Sequence, residues 1–368
     1  MHITRYLNSR RMLFGAVLIM VGGATAAEAA LQPPTGYFSP VVINQTNSPP
    51  CLPPPPPFTK TLDFPSKYQG SDEERIDIDL EAQAQYVLQT KAITDMEKGL
   101  SLLITRYMDT GDKVQLTCAL KWLSTWAGAR AMYGTATTHT GRSMRKWCLA
   151  SLSSAYLRLK FSSSKPLLHY PAQATRIETW FSEVADRVKP EWPPTERPDK
   201  FNNHFYWSAW ALMATAVATN RQDLFDAGAT LYHVFAAQVD PEGYLPNELA
   251  RGSGAAGYHS YAMLPISMVA AFGRANGVDL ASEGNGALSR LAVRAQAAIE
   301  NPSSFAEKAG AAQSEQAEST SAWAWLEPYC WTVSCTPEQR ALLLDHRPAR
   351  VTRLGGNITS VFSGAVVQ

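Results

Sequence analysis

The sequence has little net charge and no run of charge of one sign. Its 368 residues hold 33 Lys and Arg against 32 Asp and Glu, so the formal net charge is +1. A general nucleic-acid-binding protein needs a strongly basic face, which this balance argues against. A polyanionic ligand is not excluded, because a cleft can be basic in a chain that is close to neutral.

Sequence motifs for metals, nucleotides and nucleophilic serine are missing. The seven histidines form no His-Glu-x-x-His and no compact set with Cys and Asp. There is no Gly-x-Ser-x-Gly elbow, no phosphate loop and no dinucleotide fingerprint. We therefore expect neither a metal nor a cofactor.

Cysteine is scarce, and no Cys-x-x-Cys occurs, which argues against zinc ribbons and thioredoxin-type redox sites. Because the count is odd, at least one cysteine has no partner within the chain. Cys330 and Cys335 are close enough to pair across a short loop, but spacing alone does not fix connectivity. The five cysteines are Cys51, Cys118, Cys148, Cys330 and Cys335.

No segment after the first thirty residues has the length and apolarity of a transmembrane helix, and those thirty hold a shorter apolar run. Three arginines between positions 5 and 11 precede an apolar stretch at 12–21, which is too short to span a bilayer comfortably. Ala27-Glu28-Ala29 then offers a small-x-small cleavage site. This pattern predicts a signal peptide over residues 1–29, export to the periplasm or the medium, and no membrane span in the mature chain.

The remaining chain divides by composition. Residues 30–62 are rich in proline, and we expect an extended lead-in with polyproline character that is not a packed element. From residue 63 to 368 apolar residues recur at helical spacing and strand-like alternation is scarce. Wholly apolar helices alternate with amphipathic ones, which predicts one all-α domain with an inner and an outer helical layer.

Two stretches carry polar residues suited to chemistry. In Phe201–Trp210, two amides and His204 stand at the start of a buried helix, whose N-terminus favours an anion. In Leu245–Tyr261, Arg251 precedes a Gly- and Ala-rich segment, and Tyr258 and Tyr261 follow one turn apart on one helix face. Taken singly, each stretch also fits a structural role: a helix cap, a core histidine, a surface arginine and packed tyrosines.

Together the two stretches resemble the all-helical, mannuronate-preferring alginate lyases, poly(β-D-mannuronate) lyases of polysaccharide lyase family 5. The similarity is carried by Asn-Asn-His-x-Tyr-Trp from residue 202, Leu245-Pro-Asn-Glu-Leu, Ala275-Asn-Gly-Val-Asp and Arg353-Leu-Gly-Gly. Phe205 departs from the pattern, since a small polar residue is expected there. The proline-rich lead-in is a second departure.

The resemblance implies an incomplete (α/α) toroid that acts as a monomer on alginate without a cofactor. It implies a flexible lid near 64–80 that carries a basic and an aromatic residue, Lys67 and Tyr68. It places the catalytic groups at Asn203, His204, Arg251 and Tyr258.

The chemistry that such an enzyme performs explains these residue types. The C5 proton of a uronate is removed and the bond from C4 to the glycosidic oxygen breaks, which leaves an unsaturated sugar. Arg251 suits the substrate carboxylate and Asn203 can add a hydrogen bond. Donors aimed at developing charge contribute roughly 3–4 kcal/mol each. We expect Arg251 and a hydrogen bond from His204 to lower the pKa of Tyr258.

The division of labour between Tyr258 and His204 depends on the substrate. In mannuronate the C5 hydrogen and the leaving oxygen lie on the same side, so Tyr258 alone could serve as base and acid. In guluronate they lie on opposite sides, so His204 would be the base and Tyr258 the acid. Tyr261 and Trp207 are candidates for binding the sugars, although core packing is the commoner role of such a tryptophan.

Three other functions remain open from the sequence. The first is a lyase for a different uronic-acid polysaccharide. The second is a helical-toroid glycoside hydrolase, which needs two opposed carboxyl groups, with Glu248 and Asp240 as candidates. The third is a protein that binds the polymer without cutting it.

Overall fold

Helices form nearly all of the regular structure. The computed structural model describes residues 29–44, 50–70, 75–195, 197–314 and 321–363, so the predicted signal peptide lies outside it except for Ala29. Two short strands, β1 (Arg350–Val351) and β2 (Gly356–Asn357), pair antiparallel. The α-helices are α1 (Leu80–Thr110), α2 (Lys113–Gly128), α3 (His139–Phe161), α4 (Pro171–Glu191), α5 (Asn203–Thr219), α6 (Gln222–Gln238), α7 (Pro246–Leu249), α8 (Ala255–Ala275), α9 (Glu283–Glu300), α10 (Ala306–Ala309), α11 (Leu326–Thr332), α12 (Pro337–Asp345) and α13 (Thr359–Phe362).

The long helices form two concentric layers. Helices α1, α3, α5, α8 and α11 pack side by side in that order as the inner layer. Helices α2, α4, α6 and α9 pack in order outside them, and each inner helix contacts the outer helix that follows it. The described residues therefore form an incomplete (α/α) toroid, which confirms the fold class and the two layers predicted from the sequence.

Hydrophobic patterning assigns each helix to its layer. Helix α5 is buried on almost every side, from Phe205 to Ala218, as an inner helix must be. Helix α4 buries one stripe that includes Ile177, Trp180 and Val184 and exposes the opposite face. The spacing of apolar residues therefore indicates whether a helix is covered on almost every side, as in the inner layer, or exposes one face to solvent, as in the outer layer.

The helix ends near the site are fixed by local hydrogen bonds. The Asp79 carboxylate accepts from Ala82 N at 2.9 Å and begins α1. The Asn202 side chain accepts from His204 N at 3.1 Å and begins α5. Helix α8 ends at Ala275, and Gly277 follows with φ of 76°, as the Asn-Gly pair predicts. These features fix the residues at which the helices around the site begin and end.

The proline-rich lead-in differs from the expectation, because it packs against the toroid. Its backbone is extended, yet Leu52 O accepts from Trp122 Nε1 at 3.0 Å and Pro55 O from Trp126 Nε1 at 2.8 Å. Cys51 forms a disulfide with Cys118 of α2. Extended proline-rich backbone keeps its carbonyls unpaired, so buried tryptophans of the outer layer can donate to them.

Residues 31–368 form one compact unit, and the other unit, residues 1–30, lies almost wholly outside the described residues. Among the described segments, no helix combines the length and apolarity that a bilayer crossing requires.

Candidate active site

Glu248 and Asn203 form a buried, hydrogen-bonded pair that supports the site. Glu248 Oε1 accepts from the backbone N of Asn203 at 2.6 Å and from its Nδ2 at 3.1 Å. Both residues are almost completely buried, and Glu248 Oε2 lies 3.6 Å from Arg251 Nε. The amide of Asn203 is therefore committed to Glu248, and together they fix the start of α5 and the position of Arg251.

Arg251 and Tyr258 lie together at the start of α8. The guanidinium carbon of Arg251 is 5.1 Å from the centre of the Tyr258 ring. Gly254 stands between them in sequence, and a Cβ there would lie only 2.7 Å from Ile76 Cγ2. The Gly-rich segment thus lets the chain at Ile76 approach the start of α8 closely, as its composition suggested.

The predicted lid segment lies directly against Tyr258. Tyr68 pairs with Ile78 in an antiparallel bridge, and Asp79 N donates to Lys67 O at 3.1 Å. Lys67 Nζ lies 4.9 Å from the Tyr68 ring centre, and Arg75 O accepts from the Tyr258 hydroxyl at 2.9 Å. Lys67 and Tyr68 therefore reach the same cleft as Tyr258.

The pKa of Tyr258 is shifted upward, contrary to the expectation. Burial raises it most, and the charge of Tyr68 and a hydrogen bond with its hydroxyl raise it further. Arg251 lowers it by a smaller amount. Tyr258 is thus a neutral phenol in this arrangement, because the lid surrounds its hydroxyl with a carbonyl and a second phenol.

His204 faces α3. Its Nδ1 lies 3.1 Å from Ser143 Oγ and 3.0 Å from Lys146 Nζ. The imidazole stacks on Trp192 with ring centres 5.7 Å apart and 9° between the planes. Burial, and then the charge of Lys146, hold the pKa of His204 well below its usual value, so the ring is neutral at neutral pH.

Arg353 belongs to the same group of residues, since its charge contributes to the low pKa of His204. Its Nη1 donates to the Tyr261 hydroxyl at 2.8 Å, and its guanidinium carbon lies 4.1 Å from the Trp147 ring centre. The Tyr261 ring packs on Trp207 at 5.2 Å. Buried Glu97 lies nearby, since Arg353 lowers its pKa while burial, the larger effect, raises it to about 7.

Trp207 is not a sugar-stacking residue, contrary to the expectation. Its exposed fraction is 0%, because α5 is an inner helix and its side chain points into the core against Tyr261. Trp126 and Trp210 are equally buried. Tyr261 is partly exposed and keeps its hydroxyl on Arg353, so it remains a candidate for binding substrate.

The contacts of Phe205 explain why an aromatic residue stands where a small polar one was expected. Phe205 stacks on Phe201 with ring centres 4.3 Å apart and meets Trp192 edge-on at 5.2 Å. Because Trp192 also stacks on His204, Phe205 helps to fix the plane of that imidazole from behind.

Sequence reasoning missed most of the residues around His204. Ser143, Lys146 and Trp147 lie on α3, His139 begins α3, and Trp192 follows α4. One signal was available: Arg145 and Lys146 precede a run of apolar or small residues in the inner helix α3. Both are buried, and a buried charged residue needs a partner: Arg145 pairs with Glu191, and Lys146 contacts His204.

The arrangement suits an anionic ligand. Arg251, Arg353 and Lys146 all contribute positive charge that lowers the pKa of His204. Of the described residues, no three His, Cys, Asp or Glu side chains are grouped as metal ligands would be. Positive charge beside a neutral imidazole and a phenol can bind a carboxylate and handle a proton.

Comparisons with known proteins agree with this geometry. Residues 63–305 match the family model described as alginate lyase. The chain is 47% identical to an alginate lyase of Azotobacter vinelandii over 99% of this chain and 97% of the relative. It is 45% identical to an alginate lyase of Pseudomonas aeruginosa over 96% of this chain and 97% of the relative.

Solved structures show the same fold. The structure of alginate lyase A1-III from Sphingomonas species A1 matches 86% of this chain and 88% of its own, with a TM-score of 0.67 and 22% identity. A histidine-to-alanine form of alginate lyase A1-III complexed with tetrasaccharide has a TM-score of 0.72 over the same shares of both chains. The family match, the near full-length relatives and the shared toroid together establish that this chain belongs to the alginate lyase family.

Proposed function

We propose that this protein depolymerises alginate by β-elimination, with polymannuronate as the preferred substrate. The observation that carries the proposal is that Arg251 lies on the Tyr258 ring and its charge reaches His204, while Tyr68 hydrogen-bonds with Tyr258. Family membership supplies the substrate class, and the cations of the cleft suit a polymer of carboxylates. The product would carry a 4-deoxy unsaturated uronate at its new non-reducing end.

Arg251 is proposed to neutralise the substrate carboxylate. The C5 proton is only weakly acidic beside a carboxylate, so the enolate-like charge must be met by a donor. Glu248 holds the Arg251 guanidinium from the buried side, with Oε2 3.6 Å from Nε, which fixes the position of its positive charge. Asn203 acts by fixing Glu248, rather than by the direct hydrogen bond expected from sequence.

Tyr258 is proposed to take the C5 proton and return it to the leaving oxygen. A neutral phenol cannot be the base, so the polymer must first replace Tyr68 and the Arg75 carbonyl around the hydroxyl. With those contacts gone, Arg251 remains to lower the pKa of Tyr258. One residue serves both steps in mannuronate because both atoms lie on one side.

Removing the Tyr258 hydroxyl tests this assignment. Tyr258→Phe should reduce kcat on polymannuronate by about 10²–10⁴-fold, the usual contribution of a positioned acid–base group. Release of unsaturated product, followed by ultraviolet absorbance on polymannuronate and polyguluronate, is the measurement. Tyr170→Phe, at a partly buried tyrosine directly before α4, is the matched control. Near-normal turnover by Tyr258→Phe would remove Tyr258 from the mechanism.

The two candidate carboxyl groups, Glu248 and Asp240, do not support the glycoside hydrolase alternative. Glu248 is fully buried against Asn203 and Arg251. Asp240 Oδ1 accepts from Tyr244 N at 2.8 Å and closes a turn. Neither lies opposite the other across a cleft, as two hydrolase carboxyl groups must.

We also propose that the protein works as a monomer in the periplasm or the medium. The arginine-led apolar segment before Ala27-Glu28-Ala29 supports export, and so do two disulfides, which persist in oxidising compartments. Cell fractionation with N-terminal sequencing tests the first statement, and light scattering of the purified chain tests the second. Cytoplasmic retention or a dimer mass would contradict them.

A further inference from the structure

Lys146 is a fully buried lysine whose side chain ends at His204. Its exposed fraction is 0%. Its Nζ lies 3.0 Å from His204 Nδ1, 3.5 Å from Ser143 Oγ and 3.2 Å from the centre of the Trp192 ring. No step of the elimination described above uses this residue, so its burial in an inner helix calls for another explanation.

The three neighbours of the Lys146 nitrogen are all acceptors. An ammonium group carries three N–H donors and no acceptor. The lone pair of an imidazole nitrogen, a hydroxyl oxygen and an aromatic face can each receive one of them. Burial and the charge of Arg353 lower the pKa of Lys146 well below its usual value, while the carboxylate of Glu191 opposes that shift. The three contacts offer an acceptor to each hydrogen of the ammonium, and in the charged form Lys146 can only donate to His204.

An acceptor role for Nδ1 fixes the tautomer of His204. The ring is neutral, because burial and Lys146 hold its pKa well below the usual value. A neutral imidazole has one N–H, and when Nδ1 accepts, that proton stands on Nε2. Nε2 is on the edge of the ring that faces away from Lys146.

Three aromatic rings hold the imidazole in its plane. Trp192 stacks on it, Trp147 lies 5.6 Å away at 34°, and His139 meets it edge-on at 4.5 Å. Turning the ring over by 180° would leave it in the same plane but would remove Nδ1 from both Lys146 and Ser143. Packing therefore fixes the plane of the ring, and the hydrogen bonds decide which nitrogen faces α3.

We propose that Lys146 is a positioning residue that holds His204 as the neutral Nε2–H tautomer. In that form His204 donates a hydrogen bond to the uronate and does not accept the C5 proton. Proton removal then falls to Tyr258, which suits mannuronate, where one residue can serve both steps. The consequence for catalysis rests on the proposed function, whereas the tautomer is a property of the protein without substrate.

Nitrogen NMR of the full-length mature chain tests the tautomer directly. Long-range ¹H–¹⁵N correlation on histidine-labelled protein at neutral pH distinguishes Nδ1–H, Nε2–H and the imidazolium. His204→Gln identifies the signal by its loss. We expect an acceptor-type Nδ1 and a protonated Nε2. An Nδ1–H form, with Lys146 as a neutral acceptor, or an imidazolium would overturn the proposal.

Lys146→Met tests the role of the ammonium, because methionine fills the space without a donor. We expect a mixed tautomer signal and a fall of about 10- to 100-fold in kcat, as for other partners that orient a functional histidine, with a smaller change in KM. Ser143→Ala is the matched variant, which removes the hydroxyl and keeps the ammonium, and it should retain the Nε2–H form. An unchanged tautomer and kcat in Lys146→Met would contradict the proposal.

The failure of this inference is distinguishable from that of the proposed function. The wild-type spectrum needs no substrate and no variant, so it decides the tautomer even if Lys146→Met does not fold. Circular dichroism and thermal melting of each variant separate loss of folding from loss of orientation. A protein with the Nε2–H tautomer that leaves alginate intact would refute the lyase proposal alone.

Discussion

Burial of charge governs how the individual residues of the cleft behave. Lys146, Glu97 and Glu248 are all at most 5% exposed, and burial shifts each pKa towards the neutral form. Each shift is opposed by a specific partner: the carboxylate of Glu191 for Lys146, Arg353 for Glu97, and Arg251 with Asn203 for Glu248. Removing one partner of a buried charged pair costs several kcal/mol, so these contacts bind the site to the core.

Glu97 offers a pH-dependent test at this scale. Burial raises its pKa from 4.5 to about 7, so the folded chain binds this proton more tightly than the unfolded chain. Its contribution to stability is therefore fully present below pH 4.5 and is lost as the pH rises through about 7. Glu97→Gln, which stays neutral, should remove this fall.

Thermal melting of wild type and Glu97→Gln across that pH range is the measurement. The difference in Tm should move in favour of the variant as the pH rises. Glu338→Gln, at the exposed start of α12, is the control and should show no such trend. A pH-independent difference between wild type and Glu97→Gln would show that Glu97 ionises normally in the folded chain.

At the scale of elements, the lid is a hairpin whose ends are fixed and whose contacts are with Tyr258. Asp79 closes it by capping α1 and by donating its N–H to Lys67 O at 3.1 Å. Arg75 O and the Tyr68 hydroxyl meet the Tyr258 hydroxyl. The contact of Tyr68 with Tyr258 therefore raises the pKa of this phenol.

Tyr68→Phe should change the pH dependence of turnover. Tyr68 raises the pKa of Tyr258 by its charge and by a hydrogen bond, and phenylalanine removes both while keeping the ring. The pKa of Tyr258 should fall, so the rising limb of kcat/KM against pH should move to lower pH. Steady-state rates on polymannuronate over a pH series provide the measurement.

The shift of the pH profile distinguishes a lid that only binds the polymer from one that also raises the pKa of Tyr258. A lid that only holds the polymer would raise KM in Tyr68→Phe and leave the pH profile in place. Tyr170→Phe again serves as the control for loss of a phenol elsewhere. A limb that moved to higher pH would mean that Tyr68 favours the phenolate of Tyr258.

At the scale of the whole molecule, long-range links hold the lead-in on the toroid. The Cys51–Cys118 disulfide joins residues 67 apart, whereas the second disulfide, Cys330–Cys335, spans only 5. Cys148 is the free cysteine among the described residues, and it is buried. A cross-link that closes a longer loop removes more freedom from the unfolded chain.

The two disulfides should therefore differ in their effect on stability. Replacing Cys51 and Cys118 by alanine should lower the free energy of unfolding by about 4 kcal/mol, against about 2 kcal/mol for Cys330 and Cys335. Urea denaturation of the two double variants beside wild type measures both. Equal losses would indicate that loop length does not set the contribution of these cross-links.

Much of the fold and some of the site could be predicted from the sequence. The apolar period predicted an inner layer of wholly apolar helices, such as α5, and an outer layer of amphipathic ones, because periodicity records which faces of a helix are covered. The stretches from Asn202 and from Leu245 located His204, Arg251 and Tyr258, since each group is local to a helix start. The pairing of Cys330 with Cys335 was within reach because the loop is short.

Only the tertiary structure decided what lies around these groups. Lys146 and His204 are 58 residues apart and meet because α3 and α5 are neighbours in the inner layer. The same packing buried Trp207, committed Asn203 to Glu248 and placed the lid on Tyr258. Helical period and local motifs specify each element, but the pKa and the partner of a side chain depend on neighbours that are distant in sequence.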